Sequence, residues 1–568
     1  MTLPKYSYGQ LGYAIALLAI FLVTFAAHYT YLPMLGLYED DYWAIGPNLG
    51  RPISDLWPML QHHFQAWPTG RPLNHFLPIA LTSVGSALGG LQGVYVLSYL
   101  WLCLNCVLVW KIARHLLSPR AALVATLCYA LFPADSTRIL LVHAAHVQGA
   151  MTFMLLGACL WLRNGPARYF AYPVAALSLL SYETAFLPFA LLPLVAVGPR
   201  KIVVRTWVVH ILLCMAIVGT VAAMRFHTGD QRVFEATAST SQTIYRAFTS
   251  LWIGPATSAS RFILAAVEGY RNLDIMLFII WPLAGLIGGI AWYVSSSIRQ
   301  PDTEKQEIWP AWLRSRNQEE GLPTWWIAVF GAAAWSFSYF LTLTNYPPNQ
   351  TVGRLTSTHV AAAFGASIAV AALAQLIFAS RQRISRLFTA LLCVCFLGII
   401  SYQLQIQRGY VFSWEQQRKF WHQVVEKSPE VGPGWTVIVQ GPPAPESPVI
   451  GTNSWADLNV FAQIFGNIFA NDAPLFAHFG VVNPATLELH RDSEGFLWRP
   501  KFWGGPVVRL DPNRLVLFRS DGQSLTRVSA LDTPAGAIIS SAPIPSELRH
   551  KWPDTPTARI LFPEEFLP

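Results

Sequence analysis

The sequence predicts an α-helical polytopic membrane protein that carries a small α/β domain outside the membrane at its C-terminal end. Hydrophobic residues make up 53% of the 568 and charged residues only 12%, a balance too apolar for a soluble enzyme of this length. Apolar runs long enough to cross a bilayer recur through residues 1–403 and then stop. The formal charge of +8 is confined in the same way. Residues 404–568 hold 14 Lys/Arg against 16 Asp/Glu, so the whole positive excess lies upstream, where basic loops set orientation and meet anionic lipid. Nucleic acid, which needs a basic soluble face, is excluded as a partner.

The first run, 11–32, has no short core followed by a small-residue cleavage site and reads as an uncleaved anchor. Further runs place spans near 91–113, 121–133, 144–162, 170–197 as a hairpin, 203–224, 274–294, 324–343, 358–378 and 386–403, about eleven crossings in all. Basic residues gather in alternate connections, among them Lys111, Arg114 and Arg120, then Arg200, Lys201 and Arg205, then Arg381, Arg383 and Arg386. These connections are expected to be cytoplasmic, with the N-terminus inside and the C-terminal domain outside the cell's inner (plasma) membrane.

The first outer loop, about 34–90, holds two amphipathic stretches, "ISDLWPMLQHHFQAW" and "RPLNHFLPIALTSVGSAL", read as helices lying in the membrane interface. Each half of the 170–197 hairpin is short for a full crossing, which places its turn, Ser181-Tyr182-Glu183-Thr184, below the outer surface. Residues 225–272 read as a polar loop. From Gln405 onward the pattern changes to Pro, Gly and alternating apolar residues such as "WTVIVQG" and "RLVLFRS". The chain therefore divides into a membrane domain, 1–403, and an α/β domain, 404–568. All seven cysteines fall in apolar runs, so none staples the C-terminal domain.

Three adjacent carboxylates, Glu39, Asp40 and Asp41 in "LGLYEDDYWAIG", follow the first span directly. They repel one another at a membrane boundary, a costly arrangement that a solvated loop end would also explain. Arg354 in "GRLTSTHV" sits at a presumed outer edge, where an arginine grips a phosphate or snorkels to headgroups, and Arg71 in "GRPLNHF" is a second cation or, standing before a proline at a helix start, sets the geometry of the loop. Glu183 is an acid inside a short intramembrane hairpin, which requires a partner or a wet cavity. The second outer loop, "FPADSTRILLVHAAHVQG", contributes Asp135, Arg138, His143 and His146. The two histidines share a helix face, and packing is the better reading than metal ligation.

Together "EDDYW", "GRPLNHF", "SYET" and "GRLTSTHV" make residues 1 to about 400 resemble the glycosyltransferase C superfamily. These multi-spanning enzymes use polyprenyl-phosphate sugars, and aminoarabinose transferases and protein O-mannosyltransferases belong to them. The resemblance implies an acidic pair in the first outer loop, one member of which deprotonates the acceptor: Asp40 as base, Asp41 as its partner, Glu39 as third choice. It implies that Arg354 meets the lipid phosphate, with Arg71 as a second cation. Asp135 matches a further acid facing the cavity, and Glu183 matches the acid of a "KE"-like motif. The pattern departs at Leu355, where a tyrosine often stands, and at Tyr182, where a basic residue is expected. Arg138 and His146 complete the substrate-binding candidates.

The implied function is an inverting glycosyltransferase of the cell envelope. It moves a sugar from a polyprenyl-phosphate donor to a lipid, glycan or protein acceptor on the outer face. A general base and cations to absorb phosphate charge are what such chemistry requires. No cofactor is expected: a divalent metal is the open alternative, since adjacent acids do not make a coordination sphere. The competing classes are a transporter or flippase of lipid-linked substrates, which predicts ionisable residues at the midplane, and a non-catalytic membrane scaffold.

Overall fold

The structure, a computed structural model, describes residues 8–163, 165–196, 200–230, 240–272, 322–340, 348, 352–380, 382–442, 454–466, 475–479, 488–499, 507–533, 536–545, 547–549 and 552–566. The chain forms two compact units, Met1–Leu32 with Pro52–Gln407, and Pro33–Arg51 with Arg408–Pro568.

The first unit is helical. Among its described residues and the long helix it shares with the second unit, five helices are long and apolar enough to cross a membrane: Ala14–Met34, Pro72–Leu116, Leu141–Trp161, Val204–His227 and Gln382–Glu426. Shorter apolar helices, Glu183–Val195, Thr324–Phe337 and Ala362–Phe378, accompany them. The eleven expected crossings thus reduce to this set among the described residues, and the span expected at 274–294 lies outside them. Val204, Val208, Ile211, Leu212 and Met215 stand exposed on the Arg200–His227 helix. An apolar face of that size fits lipid and not water.

Three parts of this unit differ from the expectation. The stretch 72–88 is no interfacial helix: Leu73, Leu77, Leu81 and Ser83 are buried. It is the first leg of a helical hairpin within Pro72–Leu116, broken at Gly89 (φ 174°, ψ 39°) and Gly90 (φ 59°, ψ −142°). A Cβ built on Gly85 would lie 2.5 Å from the Val94 Cα, whereas nine residues of straight helix span about 13 Å, so the legs double back on each other. The stretch 53–67, by contrast, gives the Leu56–Ala66 helix with no buried residue, as an interfacial helix would.

Hairpin closure depends on glycine at the contact, because a Cβ on Gly93 would sit 2.1 Å from the Gly85 carbonyl oxygen. Gly93→Leu is expected to cost roughly 3 kcal/mol, read as a lower unfolding temperature in detergent.

The supposed loop 225–272 is mostly helix as well, Thr240–Arg271. Its hydroxyls are absorbed locally: Thr249, Ser250 and Ser258 donate back to carbonyls three or four residues earlier, a habit that makes a Ser/Thr-rich helix look like a loop. The 121–133 span, finally, is a helix of 12 residues, Pro119–Ala130.

The second unit contains a four-stranded sheet in the order β2-β1-β3-β4, with β1 Thr436–Gln440, β2 Leu475–Phe479, β3 Leu515–Ser520 and β4 Leu525–Val528. Strand β1 runs parallel to both neighbours and β4 antiparallel to β3. The Ser454–Ile464 helix makes the crossover from β1 to β2, as a parallel pair requires. Ile438, Leu515, Leu517, Leu531 and Ile538 form the core.

Residues 33–51, which carry the three acids, belong to this unit. A Cβ on Gly36 would run into the Trp414 ring. The Tyr38 hydroxyl donates to the Tyr410 carbonyl at 3.1 Å, and the Tyr42 hydroxyl to Gln417 Oε1 at 3.0 Å. Gln463, on the crossover helix, donates to the Tyr42 carbonyl and accepts from the Thr557 hydroxyl. Placing the acids is therefore a task of the C-terminal unit.

Candidate functional site

In the first unit, a buried polar cluster gathers around Glu183. Its carboxylate pairs with Arg71 through Nη2 and Oε1, and with Arg225 through Nη2 and Oε2 at 3.4 Å. The side chains of Arg71, Arg225 and Glu183 are 11%, 12% and 20% exposed, so the network is largely desolvated and each charge depends on its partner. Arg225 also donates from Nε to the Gly70 carbonyl at 3.1 Å. Gly70 is at φ +68°, and a Cβ there would lie 2.5 Å from the Arg225 Cγ. The Gly-Arg pair of "GRPLNHF" thus needs its glycine on two counts, conformation and space.

Tyr182 provides the floor of the cluster. The Arg71 guanidinium lies 5.1 Å from its ring centre, and the His146 imidazole stacks on it at 5.9 Å with planes 10° apart. His143 and His146 are neighbours, centroids 5.0 Å apart. Both residues are buried, and both are within reach of the charge of Arg354. The Ser181 hydroxyl donates to the His146 carbonyl and Asn74 to the Ser181 carbonyl, which ties this helix, the hairpin turn and the start of Pro72–Leu116 together.

Arg354 is set by its neighbours. Gly353 at φ 129° and ψ −171° occupies a region open in practice only to glycine. Its N–H donates to the Ser136 hydroxyl at 2.9 Å, and the Ser136 N–H donates to the Thr356 hydroxyl at 3.1 Å. The backbone on both sides of Arg354 is thereby pinned to the 135–138 loop.

Asp135 and Arg138, expected as substrate-binding residues, are engaged with each other and with the backbone. Asp135 accepts from the Thr137 N–H and hydroxyl at 2.9 and 2.7 Å, and from Arg138 Nε at 3.2 Å. Arg138 donates further to the carbonyls of Tyr129 and Ala130. Both residues are almost fully buried. They brace the loop that holds Arg354.

The three acids differ sharply in the second unit. Asp41 is fully buried and accepts the Tyr38 N–H on Oδ2 at 3.3 Å. Asp40 and Glu39 are half-buried. Glu39 has φ 45° and is one of only two non-glycine residues with positive φ among those described, a strained geometry that surroundings must enforce.

A fourth acid escaped the sequence reading. Asp457, on the Ser454–Ile464 helix, has a buried Oδ2 with no hydrogen-bond partner. Burial, and then the Glu39 carboxylate, push its carboxyl up to about 7. Only tertiary structure brings it to the acidic loop, so no local signal exposed it.

Because the native carboxyl at about 7 lies above its ordinary 3.8, the folded state holds the proton more tightly than the unfolded state. The linked stability is full below 3.8 and is lost as pH rises to about 7. Asp457→Asn escapes that loss. It is expected to exceed the wild type by roughly 1–3 kcal/mol at pH 8 and to match it near pH 4, as thermal unfolding at the two pH values would read.

No protein-family model, curated protein or solved structure matches the chain.

Among the described residues no group of three or more His, Cys, Asp or Glu is arranged to hold a metal ion. The second unit also has a cleft of about 800 Å³, lined by Phe412, Arg418, His422, Gln523 and Glu564 among others. Polar and aromatic groups of this kind suit a hydroxylated ligand.

Proposed function

We propose that this chain is an integral-membrane glycosyltransferase of the glycosyltransferase C kind, moving a sugar from a polyprenyl-phosphate donor to an acceptor on the outer side of the membrane. The observation that supports this reading is the buried Arg71–Glu183–Arg225 network beside His143, His146 and Arg354, within the unit that holds the membrane-length helices. Guanidinium groups with fixed orientation in a low-dielectric setting suit a phosphate that gains charge as its sugar departs.

The acceptor oxygen attacks the anomeric carbon as its proton passes to a carboxylate, a role for which the resemblance names Asp40. The sugar–phosphate C–O bond breaks, its electrons stay on the phosphate, and the configuration inverts. Asp40 suits the base because it is only half-buried, whereas Asp41 is buried and bonded to the loop it sits in. The cleft of the second unit is the candidate acceptor surface. No step calls on a metal.

The test is turnover. Purified protein is incubated with short-chain prenyl-phosphate sugars and a membrane extract as acceptor source, and release of free prenyl phosphate is followed. Sugar-dependent release supports the transferase. Movement of intact donor across vesicle membranes without release would make the protein a flippase instead.

A further inference from the structure

The Leu141–Trp161 helix serves as a ruler through the first unit. Its 21 residues span about 30 Å, the thickness of a bilayer's hydrocarbon core. His143 and His146 lie in its first turns, with the Glu183 cluster. Its far end carries a separate set of charges. Cys159, in the last turn, lies with Sγ 4.0 Å from the Leu108 carbonyl oxygen and within electrostatic reach of both Lys111 and Arg163. That contact holds the end of Pro72–Leu116 level with the end of Leu141–Trp161, and the two cations meet there. Arg168 lays its guanidinium 4.0 Å from the centre of the Trp161 ring, and Arg114 follows Lys111 by one turn.

The aromatic and apolar residues around these cations mark a bilayer boundary. A Cβ on Gly157 would lie 3.1 Å from the Ala171 carbonyl oxygen, so the Ala171–Ser181 helix starts at the same level. Tyr169 and Phe170, just before it, are 74% and 66% exposed. Aromatic rings in such a place sit among headgroups, and Lys or Arg beside them draws anionic lipid. Leu104, two turns before Lys111 on the same helix face, is exposed, and so is Leu156 in the penultimate turn of Leu141–Trp161. They form an apolar flank next to the cations. The charge balance favours an anion: the two helix C-termini that meet here are each worth about half a negative charge, against the side chains of Lys111, Arg114, Arg163 and Arg168. Residues 56–229 contain only two acids, Asp135 and Glu183, and these are taken up by Arg138 and by Arg71 with Arg225. Asp302, Glu304, Glu307, Glu319 and Glu320 lie outside the described residues.

We propose that Lys111, Arg163 and Arg168 bind the headgroup phosphate of an anionic phospholipid, whose acyl chains run along Leu104 and Leu156. The phosphate oxygens take charge-assisted hydrogen bonds from the ammonium and guanidinium groups, and the tails keep the phosphate where the cations stand. A zwitterionic lipid brings a cation of its own, which these side chains repel. Soluble phosphate lacks the tails that the apolar flank holds. The site lies at the end of Leu141–Trp161 away from the Glu183 cluster, and it does not rest on the transferase reading.

The test uses the full chain, stripped of lipid in detergent, with dioleoylphosphatidylglycerol as probe. Thermal unfolding reads the affinity, and native mass spectrometry counts the lipid that stays bound. Dioleoylphosphatidylcholine has the same tails and phosphate without net charge, and glycerol 3-phosphate is the anion without tails. Phosphatidylglycerol is expected to stabilise the wild type at concentrations about fivefold lower than phosphatidylcholine, and glycerol 3-phosphate to have no effect in that range. Lys111→Gln combined with Arg163→Gln should weaken phosphatidylglycerol about tenfold and leave phosphatidylcholine unchanged. Arg383→Gln, which removes an exposed cation from the Gln382–Glu426 helix, should bind phosphatidylglycerol as the wild type does. Should the double variant fail to fold, Arg168→Gln carries the test, with a loss of about threefold or more. Equal affinity in wild type and site variants, an equal loss in Arg383→Gln, or equal stabilisation by phosphatidylcholine or glycerol 3-phosphate overturns the proposal.

Discussion

Glu183→Ala is expected to destabilise the protein by roughly 3–5 kcal/mol, the usual cost of removing one partner from a buried ion pair. Here the loss leaves two guanidinium groups, Arg71 and Arg225, facing each other with side chains only 11% and 12% exposed. Denaturant or thermal unfolding in detergent would read the change. Glu183→Gln keeps an oxygen for Arg71 but no charge for Arg225, so it should fall between wild type and alanine. Equal stability of all three would mean that the network contributes nothing to the fold. The same variants should weaken prenyl-phosphate binding, because an untethered Arg71 spends its donors elsewhere.

Asp40→Asn is expected to reduce sugar transfer by about 10²–10⁴-fold, the range a positioned general base contributes, with no change in unfolding temperature. Asp41→Asn should behave in the opposite sense. Its carboxylate is buried and accepts the Tyr38 N–H, so substitution is expected to cost roughly 1–3 kcal/mol while leaving a smaller effect on turnover of the folded fraction. The comparison separates chemistry from scaffolding within two adjacent residues. If Asp41→Asn alone abolished transfer at full stability, the roles assigned to the pair would be exchanged.

What the sequence made legible is what local pattern encodes. Apolar runs located the Ala14–Met34, Leu141–Trp161 and Val204–His227 helices, and the β pattern located β1 and β3. Arg71, Glu183, His146 and Arg354 were all visible as polar residues in costly places, and the structure assembles them in one unit. Their pairing was not visible. Arg225 lies 42 residues beyond Glu183, and Arg71 lies 112 before it, so only the fold identifies them as partners.

Two misreadings have a shared origin in polar or small residues that serve a packed helix. Gly85 looked like part of an interfacial segment, whereas with Gly89, Gly90 and Gly93 it folds Pro72–Leu116 back on itself. Ser and Thr in Thr240–Arg271 looked like a loop, whereas their hydroxyls return to the helix backbone. The assignment of residues 33–51 to the C-terminal unit was out of reach for a further reason. It rests on long-range contacts of Gly36, Tyr38 and Tyr42 with Trp414, Tyr410, Gln417 and Gln463, and no spacing rule foretells those.

The mass of whatever lipid stays with the protein on purification tests the central claim most directly. Native mass spectrometry of the wild type is predicted to show an adduct whose mass equals a polyprenyl phosphate, with or without a hexose or pentose, and which disappears in Arg71→Ala. Adducts of ordinary phospholipid alone, retained equally by wild type and Arg71→Ala, would contradict it.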